Sequence, residues 1–409
     1  MEEAGLVIDE LSLADHMSEK NLHAVGGLAG LSRLSGGVAT TANLDYYSGK
    51  IRDAYLSKSV RSKVSEILEA DSETSGADLL AMLSTSENAL RGSLAGGSVT
   101  LDSVVAQEVS RALQASGEPR GLPTGIGLDR ALPGGLPRGK VTTIFADTGS
   151  FKSTLSLQMI FAMAKAGYRG LLAPLEDNDE LTAQRWIAQA TGVPYGRIAG
   201  GVLNAEEKVE ISKLEGDEYS YLSRIQSVDG IEPKIDNIIR AVAAASAKGG
   251  VDFVLVDYIQ LLQGYGSKQD ILTDAMQKAQ LASKRYDVCW IFLSQQNDKS
   301  VGRSDPRPHL GDMFNSSAMK QCSKTVIALF RPSEVWPNPK GNTHPLWGMY
   351  SRMIERNPVC GDEMYRNIIE VWTLKNLIGV KKTLHGLMAK PETGVLDPID
   401  IGTLTRRNV

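Results

Sequence analysis

One stretch, VTTIFADTGSFKSTLSLQMIFAMAKAG at 141–167, narrows the possible folds more than any other part of the chain. An apolar run at 141–146 passes through a turn containing Gly149 into a segment whose apolar residues recur at helical spacing. A turn between a buried strand and a helix leaves the helix's first N–H groups unpaired, and that is the chemistry of an anion site. A phosphate-binding loop adds a lysine for phosphate oxygens and a hydroxyl for a divalent ion; Lys152 and Ser153 stand in those positions. Against the pattern G-x-x-x-x-G-K-[ST], Ala146 replaces the first glycine, Gly149 supplies an internal one, and Phe151 takes the seat before the lysine. Glycine is usual there because the backbone needs a conformation that a side chain resists, at a cost of about 1–3 kcal/mol. Alone, the stretch reads equally well as an ordinary strand-turn-helix with an incidental lysine. Other residues must decide.

From residue 120 onward, apolar runs at 141–146, 170–174, 221–226, 251–257, 288–294, 325–330 and 367–375 read as strands. Helical patterns separate most of them, over 153–167, 180–192, 234–249 and 274–287. Continuous apolar strands joined by amphipathic helices predict an α/β fold with a mostly parallel sheet covered on both faces. Before it, residues 1–70 read as a small all-α unit. Residues 71–117 read as a Ser/Thr/Gly-rich linker carrying one helix, with Val104, Val105, Val109, Ala112 and Leu113 on its apolar side. A chain of 409 residues, 42% hydrophobic, accommodates this division. No apolar run approaches the roughly 20 residues that cross a bilayer, and the acidic start lacks a secretory signal's basic head, so a cytoplasmic protein is expected. The net charge of −4 excludes coating of nucleic acid by bulk positive charge and leaves a local basic channel open. Cys289, Cys322 and Cys360 show no metal-ligand spacing and are expected to be buried or half-buried thiols.

The strand ends break the tie over the loop. The run VDFVLVD closes on Asp257, LLAPLE closes on Glu176, and VCWIFLSQ closes on Ser294 and Gln295. Ligands of open parallel sheets bind beyond the carboxyl ends of the strands, so Lys152, Glu176, Asp257 and Gln295 should converge on one crevice.

With these residues in order, 120–390 resembles the RecA-like motor domain of the DnaB-type hexameric replicative helicases. GLPTGIGLDRALPGGLPRGKVTTI is similar to that family's entry segment, LEDNDELTAQRWIAQATGVP to the stretch with its glutamate, VLVDYIQLL to its magnesium-site strand, and FLSQQNDKSVGRSDPRPHLGDM to its glutamine sensor and following loop. Residues 7–60 resemble the later part of the family's helical N-terminal domain. The resemblance implies ATP and Mg2+ as ligands, held by Gly149, Ser150, Phe151, Lys152, Ser153 and Thr154. It implies metal contacts at Ser153 and Asp257, water activation by Glu176, and γ-phosphate sensing by Gln295. It further implies a hexameric ring on single-stranded DNA moving 5′ to 3′, a linker helix packed on a neighbour, and a primase or helicase loader as partner. DNA contacts are expected from Arg303, Phe314, Asn315, Ser316, Ser317 and Lys320, with Phe314 reading equally as an inward side chain.

The chain departs from the family's pattern in four ways. Phe151 is the first. Leu377 stands where an interfacial arginine is expected after Lys375, leaving Lys375, Lys381 and Lys382 as cations at the subunit boundary. Phe314 and Asn315 replace an Arg-Glu pair in the DNA-facing loop. The resemblance at the N-terminal unit begins almost at Met1, past the family's usual opening helices. Residues 331–367, rich in Pro, Trp and charge, read as a surface-exposed insertion. Two other functions stay open on these departures: a replication assembly or loader subunit that hydrolyses ATP poorly, and a RecA-type recombination or repair ATPase.

Overall fold

A computed structural model describes residues 121–399 apart from 129–131, 133, 298–301, 315, 345–346, 357 and 378–382, together with Leu101–Leu113 and the single positions 27, 58 and 61. The helical unit over 1–70 and the linker before residue 101 therefore lie outside the described residues. Leu101–Leu113 (α1) is a helix that leaves Leu101, Val105, Val109 and Leu113 exposed along one side, four residues apart.

Nine strands form one sheet in the order β3-β2-β4-β5-β1-β6-β7-β8-β9. They are β1 (Val141–Ala146), β2 (Gly170–Pro174), β3 (Ile225–Ser227), β4 (Phe253–Asp257), β5 (Cys289–Gln295), β6 (Ser323–Phe330), β7 (Ile368–Lys375), β8 (Thr383–Lys390) and β9 (Val395–Ile399). From β3 to β6 every pairing is parallel; β7, β8 and β9 add on antiparallel. The central strands are buried almost throughout, which is why they read as unbroken apolar runs. The other helices that matter to the site are α2 (Lys152–Lys165), α3 (Ile235–Lys248), α4 (Lys268–Tyr286) and α5 (Ser316–Cys322). Helices α3, α4 and α5 cover one face of the sheet; α2 and the segment from Leu122 to Leu136 cover the other. The expected fold class is the observed one.

Boundaries differ where local chemistry overrides the apolar pattern. The strand expected at 221–226 is only Ile225–Ser227, because Asp217–Arg224 winds into a 3-10 turn. That turn places the Tyr219 ring edge-on against Trp186 at 5.6 Å. Helix α4 starts at Lys268, six residues before its expected position. Ser267 accepts from the Asp270 N–H while Asp270 accepts from the Ser267 N–H, a capping box written in the sequence as SKQD. Strands β8 and β9 have no counterpart in the apolar pattern. β9 contains Pro398, which a sheet tolerates because β9 is its edge.

Residues 331–367 are not simply surface. Helices α6 (Gly348–Arg356) and α7 (Gly361–Asn367) close a small core of Trp347, Met349, Tyr350, Met353, Ile354 and Tyr365 against Phe330 and Ile368. Trp347 is buried and stacks on the exposed Trp336 at 5.3 Å. The apolar residues of this tract recur at helical spacing within α6, so they bury each other beneath the flanking polar chain. Cys289 and Cys322 are buried as expected, whereas Cys360 is exposed at the start of α7.

Candidate nucleotide site and its link to the following loop

Register assembles the site. β1 pairs with β5 so that Ala146 lies beside Gln295, and β2 pairs with β4 so that Pro174 lies beside Asp257. The Leu175 and Glu176 N–H groups both donate to the Asp257 carbonyl, at 2.8 and 3.2 Å, which holds Glu176 at the mouth beside Asp257. A cavity of about 340 Å3 opens there, lined by Gly149, Phe151, Lys152, Ser153, Glu176 and Gln295 among others. That volume lies in the range that holds small ligands. Sequence reasoning did not single out Asp147, Asp177 and Arg185, which also line it, the last two as an ion pair. No spacing rule links Asp177 to Arg185 across a helix start.

Phe151 adopts the left-handed conformation, φ 60° and ψ 25°, immediately before α2. Gly149 is left-handed too, at φ 74°. The backbone that glycine usually supplies is therefore present with a phenyl group attached, and about 1–3 kcal/mol of local strain comes with it. The Phe151 ring packs against the core cluster that includes α2.

Burial and neighbouring charge shift two of the charged residues. Burial pushes the Asp257 carboxyl up from the ordinary carboxylate range, against the Ser153 hydroxyl that donates to it and the Lys152 ammonium; Glu176 and Asp177 add to the rise. Burial lowers the Lys152 pKa, opposed by Asp257, Glu176 and Asp147. Lys152 Nζ lies 5.2 Å from the Tyr258 ring centre. Asp257 is only 9% exposed, and its Oδ1 has no hydrogen-bond partner. A buried, unpaired carboxylate oxygen beside a hydroxyl is the donor set a hard divalent cation takes. Ser153 and Asp257 therefore fit the magnesium expected of them.

The sign of these shifts gives a test. A carboxylate whose pKa the fold raises favours the folded state below its unfolded value and weighs against it as pH climbs through the raised pKa. In nucleotide-free protein at pH 7–8 Asp257→Asn is thus expected to leave the thermal midpoint equal or higher, while abolishing the rise that ATP with Mg2+ produces. Scanning calorimetry decides; a drop of several degrees without ligand would show that Asp257 is a structural ion-pair partner instead.

The expected DNA-facing residues divide. Gln295 sits between two hydrogen-bonded neighbours. Its N–H donates to Gln260 Oε1 at 3.4 Å, and its carbonyl accepts from the Phe314 N–H at 3.4 Å. Gln260 Nε2 also donates to Ser294 Oγ at 2.9 Å. Asn297 donates through its backbone N–H to the Asp312 carbonyl and through Nδ2 to those of Gly311 and Met313. The end of β5 is thereby hydrogen-bonded to the turn that carries Phe314. Phe314 itself is 38% exposed. Arg303 makes a two-pronged contact with buried Asp312, at 2.7 and 3.1 Å, so its guanidinium braces this loop from within. Ser317 is exposed, and Lys320 lies on α5, its carbonyl accepting from Lys375 Nζ. Leu377 is exposed. Asn315, the Ser316 side chain, Lys381 and Lys382 lie outside the described residues.

A phosphate loop after β1, with carboxylates ending β2 and β4 and an amide ending β5 between them, defines a P-loop ATPase of RecA-like fold. The sequence profile of the DnaB-like helicase C-terminal domain matches residues 121–355, and the chain belongs to that family. It is 21% identical over 332 residues to the replicative DNA helicase DnaB of Geobacillus stearothermophilus, covering 78% of this chain and 72% of that one. To the replicative DNA helicase DnaC of Bacillus subtilis it is 22% identical over 338 residues, covering 80% and 72%. Among solved structures, the fold matches a DnaB-like replicative helicase studied with primase, at TM-score 0.66 and 20% identity over 98% of this chain and 89% of that one. Among the described residues, no helix is long and apolar enough to cross a membrane.

Proposed function

We propose that this chain is the motor of a replicative DNA helicase, hydrolysing ATP to move along single-stranded DNA as a hexameric ring. The observation that carries the reading is the meeting of Lys152, Ser153, Glu176 and Gln295 around one cavity, with Asp257 hydrogen-bonded to Ser153 behind it, in a member of this family. Lys152 would hold phosphate oxygens from its half-buried place at the start of α2. Ser153 and Asp257 would hold Mg2+, which when bound neutralises charge on the transferring phosphoryl group. Glu176, exposed at the mouth, would orient and deprotonate the attacking water.

Gln295 would pass the state of the nucleotide to the DNA. The support is the set of hydrogen bonds, backbone and Asn297 side-chain, between Gln295 or Asn297 and residues 311–314, which couples the end of β5 to the Phe314 turn. Phe314 would stack on a base, and Ser317 and Lys320 would meet phosphates. Lys375, Lys381 and Lys382 would face the next subunit's nucleotide in place of an arginine. The exposed stripe of α1 would pack on a neighbouring subunit. Primase or a loader would bind through the N-terminal unit.

Strand displacement from forked duplexes tests this reading. ATP-dependent release is expected from a fork with a 5′ single-stranded tail and not from one with only a 3′ tail. Robust strand exchange with filament formation, and no displacement, would instead support a recombination ATPase.

A further inference from the structure

The Phe151 ring packs on the core cluster on one side, and its left-handed backbone calls for a second constraint on the other. A non-glycine residue held at φ 60° relaxes unless its surroundings over-determine it. One neighbour does so from outside the loop. The Arg331 guanidinium lies over the Phe151 ring, 5.3 Å from its centre, within the distance at which a cation is attracted to an aromatic face. Arg331 is itself fixed: Nη1 pairs with Glu334 at 2.7 Å, and Nη2 donates to the Arg366 carbonyl at 3.2 Å. The anchor belongs to the start of the 331–367 tract and to the end of α7, so the small core of that tract stands behind the contact. A second cavity, of about 420 Å3, is lined by Asp147 and Ser150 of the loop and by Arg331 and Glu334, so Arg331 borders open space beside the loop as well as the ring.

We propose that Arg331 is a positioning residue for the phosphate loop. By clamping the Phe151 ring it holds residue 151 left-handed and keeps the first turn of α2 set for phosphate, a task that glycine performs unaided. The 331–367 tract thus acts on nucleotide affinity through the loop. This rests on the nucleotide-binding reading of the loop.

The test is a double-mutant cycle on the full chain, titrated with Mg2+ and either ATP or inorganic tripolyphosphate. Arg331→Ala is expected to weaken both ligands by the same factor, roughly five- to tenfold, with KM for ATP raised and kcat little changed. Arg331→Lys should recover part of the loss. In a Phe151→Gly background, Arg331→Ala should change affinity by less than about twofold, because no ring remains to clamp. Equal losses in both backgrounds overturn the proposal. So does a loss seen with ATP and absent with tripolyphosphate, which would place the guanidinium on the base. If the unsubstituted protein binds neither ligand, the nucleotide reading falls first and the clamp with it.

Discussion

Replacing Glu176 by glutamine is expected to lower ATP turnover by about 10²- to 10⁴-fold, the usual worth of a positioned general base. ATP affinity should stay close to that of the unsubstituted chain. The separation of these effects follows from where Glu176 sits. It is exposed at the mouth of the cavity, tied to Asp257 through backbone hydrogen bonds, while Lys152 and Ser153 line the cavity from the start of α2. Glutamine keeps size and hydrogen bonding and loses the ability to take a proton. Single-turnover hydrolysis beside equilibrium nucleotide titration measures both quantities. If the unsubstituted protein turns over no faster than Glu176→Gln, the chain is a nucleotide clamp whose work is assembly.

The second large effect concerns stability. Glu370 on β7 is fully buried and accepts from Arg307 at both oxygens, each at 2.8 Å. Tyr350 Oη and Trp372 Nε1 donate to the same carboxylate. Burial lowers the Arg307 guanidinium pKa, but the charges and hydrogen bonds around it, Glu370 foremost, carry it above its ordinary value. Burial and the Glu370 charge raise the Tyr350 hydroxyl well above its own. The cluster therefore ties three parts together: the loop after β5, the 331–367 tract and the sheet. Glu370→Ala leaves the largely buried Arg307 guanidinium without its two-pronged partner, with Asp305 only at 3.9 Å, and should cost about 3–5 kcal/mol in urea unfolding. The double substitution Arg307→Met with Glu370→Leu should cost less than the single, because no charge is left stranded. Equal costs would mean that packing, not charge, sets the penalty.

The nucleotide site was legible to the extent that it depends on strand ends. Continuous apolar runs stop abruptly at Asp257 and Gln295, and parallel pairing carries such ends to one edge, so Lys152, Glu176, Asp257 and Gln295 can be placed together without coordinates. Phe151 was legible as an oddity, and its left-handed backbone is what the loop position demanded. The guanidinium above it was not, because Arg331 lies far along the chain and no periodicity connects the two. Arg303 shows the opposite limit. A basic residue in a DNA-facing loop resembles a phosphate contact until buried Asp312 is seen to take its guanidinium. The helices of the 331–367 tract are short and interrupted by Pro and Gly, so their mutual burial is a tertiary fact. Strands β8 and β9 escaped for a similar reason: an antiparallel edge needs only a few inward residues, here Leu387, Ala389 and Leu396.

The most direct test is ATP hydrolysis by the purified chain with and without single-stranded DNA, beside Lys152→Ala. Turnover that rises with DNA and disappears in the variant is the expected result, and it would make Phe151 and Leu377 variations within a working motor. Turnover that ignores both DNA and the loss of Lys152 would contradict the assignment of this site.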